Sequence, residues 1–312
     1  MRKILLSITL SVAAMANAQQ FEVVSLQRVK TGDRPTAFHP RFMPDGETLM
    51  VCEQNFSGLG LVDVNKGEYT HLTDMNAAGY YPEVSEDGNV IVVREKDWED
   101  LTVDLYKIDL KKQMISPIAS GLEHVNRVNL TNGELTFGQR GQMSKLATRT
   151  RLVDRNTLLA PVKDVYVTEE ELKLVVYTNG MPTVVDPLST ADYDAQYYWS
   201  SLSPDKTRIL FGSGNHTWVC NLDGSNLIDL GEMRAPVWRG NDFVVGMNDE
   251  DDGYYYTKSD IVIVKADGTQ KMQQLTSNSS EIKMFPSVSE DGSKIAFHTA
   301  EGKIYLMQIK EK

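Results

Sequence analysis

Five histidines are the first residues of this 312-residue chain to suggest chemistry. His124 opens one strand-like stretch, while His216 and His298 end two others, so all three map toward the same face of the scaffold that carries them. Converging imidazoles suit a divalent metal, yet no HxH or HExxH spacing supplies two ligands from one element. His39 opens a further strand in the register that sibling stretches give to Tyr81 and Phe285, which marks it as a packing position.

The run Asn248-Asp249-Glu250-Asp251-Asp252-Gly253 is the second candidate. Several carboxylates before a Gly can wrap Ca2+ with oxygen ligands, so Asp249, Asp251, Asp252 and His298 form a candidate set for Ca2+ or another divalent metal. The full EF-hand loop is absent, because no Glu follows at the required distance, and a solvated acidic loop is the ordinary reading. Aromatic residues also gather, at 80–81, 197–199 and 254–256. With arginines beside them they suggest an anchor surface for a protein, peptide or glycan, since aromatic and Arg side chains dominate binding hot spots. Arg34, His124, Arg127, Tyr197, Arg234 and Tyr254 are the residues that reading selects. The competing role for such rings is packing between repeats. Nucleophilic catalysis finds no GxSxG elbow, since Gly212-Ser213-Gly214 reads as a turn, and no glycine-rich phosphate loop appears.

The elements that must position these residues are short strands. In FPSVSEDGSKIAFHTAEGKIYLMQI (285–309) three antiparallel strands alternate apolar and polar residues around an Asp-Gly and a Glu-Gly turn. Five cousins lie upstream: HPRFMPDGETLMV, YPEVSEDGNVIVV, HVNRVNLTNGELTF, YWSSLSPDKTRILF and APVWRGNDFVV. Between turn positions Gly46, Gly88, Gly133, Lys206, Gly240 and Gly292 the spacings are 42, 45, 73, 34 and 52. Most sit near the roughly 40 to 50 residues of a four-stranded propeller blade. Assigning 172–189 to the third blade, with 142–170 inserted, gives six blades; taking VYVTEEELKLVVY as a separate hairpin gives seven. The last repeat stops after three strands while 21–29 is an unpaired strand-like run, so the first strand is expected to complete the last blade and close the ring.

Residues 1–18 read as a secretory signal: Arg2 and Lys3, an apolar run from Ile4 to Met15, then Ala16-Asn17-Ala18 as a cleavage site. With no Cys at the cleavage point, a soluble periplasmic or secreted protein is expected rather than a lipoprotein, and no later stretch is long enough to insert in a membrane. Removing Arg2 and Lys3 takes the formal charge from −11 to −13, which repels phosphate backbones and argues against nucleic acid as a partner. Residues 19–312 are expected to form one domain. Cys52 and Cys220 are too few for a disulfide scaffold and sit in apolar strand patterns as small hydrophobes.

The SPDG-like turns and the segment SDIVIVKADG…QLT (259–276), following a signal-like leader, resemble the TolB-like family of six-bladed β-propellers with WD-like repeats. The likeness implies an all-β propeller with its functional face at the d-to-a and b-to-c loops, where a non-catalytic member binds an envelope or secreted protein. Lys206 in place of Gly and the turn Trp238-Arg239-Gly240-Asn241 depart from the pattern and blur the blade boundaries. A second expectation comes from oligogalacturonate lyases, exported propellers of similar kind that bind metal through channel histidines: a metal-assisted polysaccharide lyase or hydrolase.

Overall fold

One turn chemistry recurs along the chain. The Ser289 hydroxyl donates to Asp291 Oδ1 at 2.6 Å and accepts the Lys294 N–H at 2.9 Å, and the Gly292 N–H reaches the Ser289 carbonyl at 2.8 Å. Ser85 with Asp87 and Ser203 with Asp205 repeat these bonds. The last turn position needs a left-handed backbone, with φ of 62°, 69° and 70° at Gly46, Gly88 and Gly292. Glycine adopts it without a Cβ clash, whereas Lys206 holds the same conformation at φ 57°.

The computed structural model describes residues 20–123, 125–139, 141–148, 153–154, 165–189, 196–277 and 280–312. Seven sheets follow one another. Blade 1 comprises Phe38–Phe42, Thr48–Cys52, Leu59–Asp63 and Tyr69–Thr73. Blade 2 comprises Glu83–Val84, Val90–Lys96, Val103–Asp109 and Met114–Leu122, with Val153–Asp154 added in parallel at its outer edge. Blade 3 has Val128–Thr131, Glu134–Gln139 and Gln142–Ala147, and blade 4 has Val165–Glu170, Lys173–Thr178 and Met181–Val185. Blade 5 runs Tyr198–Leu202, Arg208–Ser213, His216–Asn221 and Ile228–Glu232; blade 6 runs Arg234–Arg239, Phe243–Asp251, Tyr256–Lys265 and Gln273–Gln274. Blade 7 takes Lys283–Val288, Lys294–Thr299 and Ile304–Glu311 from the chain's end and Phe21–Arg28 from its start.

The six-bladed count is therefore corrected to seven. Gln142–Ala147 is the third strand of blade 3, and Lys173–Val185 pairs with Val165–Glu170 as a sheet of its own. The segment 172–189 does carry the apolar alternation of a c-d pair, but Val167, Leu174 and Val176 bury that face with Ile209 and Phe211 of blade 5, not against blade 3. His216 opens the third strand of blade 5 instead of ending the second.

No sheet covers both of its faces alone, and each pair of neighbours shares an apolar cluster. Met50, Ile91 and Val93 join blades 1 and 2; Leu105, Leu135 and Phe137 join 2 and 3; Met143 and Tyr177 join 3 and 4. Leu210, Val244 and Val262 join 5 and 6, Phe243, Phe297 and Met307 join 6 and 7, and Val51, Ala296 and Leu306 join 7 back to 1. Each buried large side chain contributes about 1.5–3 kcal/mol relative to exposure, so a sheet without its neighbours loses its main stabilisation.

Closure by the first strand matches the sequence expectation. Phe21 faces Glu311 and Arg28 faces Tyr305 in an antiparallel ladder. The Gln273 side chain then clamps blade 6 to that strand: its Nε2 donates to the Phe21 carbonyl at 2.7 Å, and its Oε1 accepts the Phe21 N–H at 3.0 Å. Both cysteines are free and buried, and burial pushes each thiol up to about 12. The signal segment expected over 1–18 lies outside the described residues, among which no helix is long and apolar enough to cross a membrane.

Candidate functional site: an aromatic central channel

The innermost strand of a blade is an edge, because its second side faces the ring axis. Proline is tolerated there, since no ladder donor is lost. Pro40, Pro82, Pro236 and Pro286 all occupy that strand or its lead-in, at one position of the repeat, and Ser200 takes the place in blade 5. The residue before each has a left-handed backbone: φ is 52° at His39, 51° at Tyr81, 56° at Trp199, 47° at Ala235 and 50° at Phe285. Four of these lie inside register shifts, between Phe38 and Arg41, Tyr198 and Ser201, Arg234 and Val237, and Met284 and Ser287. A bulge adds an unpaired residue and re-aims its side chain.

Left-handed backbone costs a non-glycine residue about 1–2 kcal/mol. Five repeats of that cost, four of them on bulky rings, are sustained by the ring of sheets around them. All five residues line a single cavity of about 340 Å³, together with Arg127. Two wider openings share wall residues with it. One, of about 690 Å³, adds Arg234, Asp251, Tyr254 and His298 to His39 and Phe285; the other, of about 1000 Å³, adds Asn126, Glu169 and Glu170 to Tyr81 and Trp199.

The rings touch in sequence around the wall. Tyr81 meets Tyr80 at 4.7 Å between centroids, Tyr80 meets Phe56 at 5.4 Å, Phe56 stacks on His39 at 3.9 Å, and His39 meets Phe285 at 4.7 Å. Phe285 then reaches Trp199 at 6.4 Å. Guanidinium groups back this wall: Arg127 lies 3.9 Å over Tyr81, Arg41 lies 6.0 Å over the same ring, and Arg94 lies 5.1 Å over Tyr80. Such a surface offers broad apolar contact with cationic edges, which suits a ligand carrying both apolar and acidic groups.

The residues singled out from sequence divide into three groups. Arg127, Arg234, Tyr254, Asp251 and His298 line the channel or its mouth. Arg34 lies elsewhere, donating to Tyr69 Oη at 2.8 Å and to Glu53 at 3.2 Å within blade 1. Tyr197 is a core residue whose ring meets Phe211 at 5.3 Å and whose hydroxyl donates to Asp186, although it touches the floor of the widest opening. His124 lies outside the described residues.

The acidic run is engaged within the protein. Asp249 and Asp251 reach Arg234 at 3.1 and 3.6 Å, and Asp252 Oδ1 accepts the N–H groups of Tyr254 and Tyr255. Among the described residues no group of three or more His, Cys, Asp or Glu is arranged to hold a metal ion. His216 bonds Asp229 at 2.9 Å in blade 5. Sequence reasoning missed Arg41, Arg94, Phe56 and Phe285 as wall residues. The signal that would have found Phe285 was the dipeptide of aromatic or His followed by Pro, repeated at 39–40, 81–82 and 285–286.

No family model and no curated protein matches the sequence. Solved structures do match. TolB from Acinetobacter baumannii superposes with a TM-score of 0.50 at 14% identity, over 80% of this chain and 56% of that one. A chain of the mitotic checkpoint complex superposes with a TM-score of 0.57 at 14% identity, over 98% of this chain and 99% of that one. The chain is a β-propeller. At such identity the likeness shows the fold alone, and this propeller spans little more than half the length of TolB.

Proposed function

We propose that this propeller is a non-catalytic binding protein of the envelope or secreted space, whose aromatic channel mouth seats a segment of a partner protein. The carrying observation is the ring of left-handed residues His39, Tyr81, Trp199, Ala235 and Phe285 around one cavity. Backbone strain repeated at one position in five blades is hard to account for by packing alone, and strain of this kind clusters at ligand sites. The resemblance to TolB-like propellers and the signal-like sequence of residues 1–18 support an exported location. The second structural neighbour belongs to the mitotic checkpoint complex, and a place in such an assembly is consistent with a propeller used for docking.

The test is capture from envelope extract with residues 19–312, a Trp199→Ala variant and a Met181→Ala control. Met181 is 72% exposed on blade 4 and lines none of the three cavities described here. A partner retained by the control and lost by Trp199→Ala supports docking at the channel; a partner indifferent to Trp199→Ala refutes it. The rival lyase or hydrolase reading rests on His124 and His298. The pair His124→Ala and His298→Ala separates the two, because it abolishes a histidine-dependent activity while leaving most of the ring wall in place.

A further inference from the structure

Three arginines approach the Tyr80–Tyr81 wall, and their partners do not use them up. Arg41 Nη2 makes a loose contact of 3.7 Å with Glu83, and its Nη1 is buried without a partner. Arg94 is 4% exposed; its Nη1 donates to the Val125 carbonyl at 3.2 Å and its Nη2 is buried without a partner. Among the described residues neither Arg94 nor Arg127 has a carboxylate within ion-pairing distance. Of the nearby carboxylates, Glu169 is held by neutral donors, the Asn126 amide at 2.6 Å and the Ser200 N–H, and Glu170 accepts from the Tyr177 hydroxyl and the Gly141 N–H. Among the described residues these carboxylates spend their oxygens largely on neutral donors, and none of the three guanidiniums is closely paired with one.

We infer that the Tyr81 wall of the channel is a carboxylate subsite, in which Arg41 and Arg127, backed by Arg94, receive a single anionic group flanked by apolar surface. Orphaned guanidinium nitrogens are costly when buried, and a planar acceptor relieves that cost with two parallel bonds. With Glu169 and Glu170 lining the adjoining opening, a monoanion is repelled less than a phosphate dianion, and the surrounding rings favour an apolar neighbour to the carboxylate. This deepens the docking reading and rests on it: the partner segment presents its carboxylate here.

Phenylacetate, phenylacetamide and phenethylamine are the probes, with inorganic phosphate as a fourth, read by the fluorescence of Trp199 and Trp238, both of which line the cavity. Phenylacetate gives a saturable change that added salt weakens, and phenylacetamide binds at least about tenfold more weakly, as expected for loss of a charge-assisted bond. Arg127→Gln removes phenylacetate binding, whereas Glu83→Gln tightens it, an increase that a misfolded variant does not produce. Equal binding of the three organic probes, a preference for the amine, or tighter binding of phosphate overturns the assignment. Acetyl-Gly-Phe with a free carboxylate and acetyl-Asp-Phe-amide then tell a chain terminus from an acidic side chain. Absent phenylacetate binding with partner capture still lost in Trp199→Ala defeats the subsite and leaves docking intact; phenylacetate binding with capture indifferent to Trp199→Ala defeats docking and leaves the subsite as one for a small acid.

Discussion

The imidazoles of His39 in blade 1 and His298 in blade 7 meet edge to face, 4.9 Å between centroids, across the seam where the ring closes. Phe285 stacks on His298 at 5.5 Å and covers the pair. Each ring keeps one buried nitrogen without a partner, Nδ1 of His39 and Nε2 of His298. Burial lowers His39 to about 4, and burial with the neighbouring His39 lowers His298 to about 3, so both are neutral in the folded protein.

A pH dependence follows. The unfolded chain protonates these histidines near their ordinary 6.5, whereas the folded chain resists until about 4 and 3. Between pH 6.5 and 4 the unfolded state binds more protons, so stability is complete above 6.5 and falls with acidification by up to about 1.4 kcal/mol per pH unit for each histidine. Asp87 and Asp291, held at about 2 by hydrogen bonds that begin with Ser85 and Ser289, lose their contribution only below their ordinary 3.8. Urea midpoints of wild type and His298→Phe from pH 7 to 4.5 test this: the variant's slope is about half as steep, and parallel slopes refute the assignment.

Phe21 carries the closure. It is 2% exposed, meets Phe243 edge-on at 4.9 Å and lies under the Arg239 guanidinium at 4.6 Å. Phe21→Ala is expected to cost about 3–5 kcal/mol in chemical denaturation, and removing residues 19–30 to lower the melting temperature of the whole ring. An unchanged melting temperature on deletion contradicts closure by this strand.

Asp260 and Lys283 form a buried ion pair at 2.9 Å, with side chains 8% and 6% exposed. Thr276 Oγ1 and Gln274 Nε2 donate to the same carboxylate at 2.8 and 2.7 Å. Lys283→Met strands that charge and is expected to cost about 3–5 kcal/mol, while Asp260→Asn with Lys283→Met recovers part of the loss. A double-mutant cycle in guanidinium measures it; additive single effects contradict the coupling.

Lys206 stands where five sibling turns have glycine, at 46, 88, 133, 240 and 292. Lys206→Gly removes the left-handed penalty at some entropic cost to the unfolded chain, for a net gain of up to about 1 kcal/mol. Calorimetry checks the sign, and a lowered melting temperature shows that contacts of the Lys206 side chain outweigh its backbone strain.

Much of this protein was legible as text. The Ser-x-Asp-Gly turns and period-2 strands declared the repeats, because local hydrogen bonds at Ser85, Ser203 and Ser289 and the φ of Gly46, Gly88 and Gly292 are set by residues within a few positions. Closure was legible too, since a three-stranded end and a one-stranded start each lack what the other supplies. Blade count was not: whether Lys173–Val185 joins blade 3 or stands as blade 4 depends on which neighbour buries Leu174 and Val176, and that competition is long-range. The channel was half visible. Arg127, Arg234 and Tyr254 stood out by type, but Arg34 and Tyr197 are equally aromatic or basic and serve elsewhere. The turning of His39, Trp199 and Phe285 toward one axis arises from bulges that exist only when strands pair, and the arginine cluster over Tyr80 and Tyr81 only when Arg41, Arg94 and Arg127 come together from separate stretches of the chain.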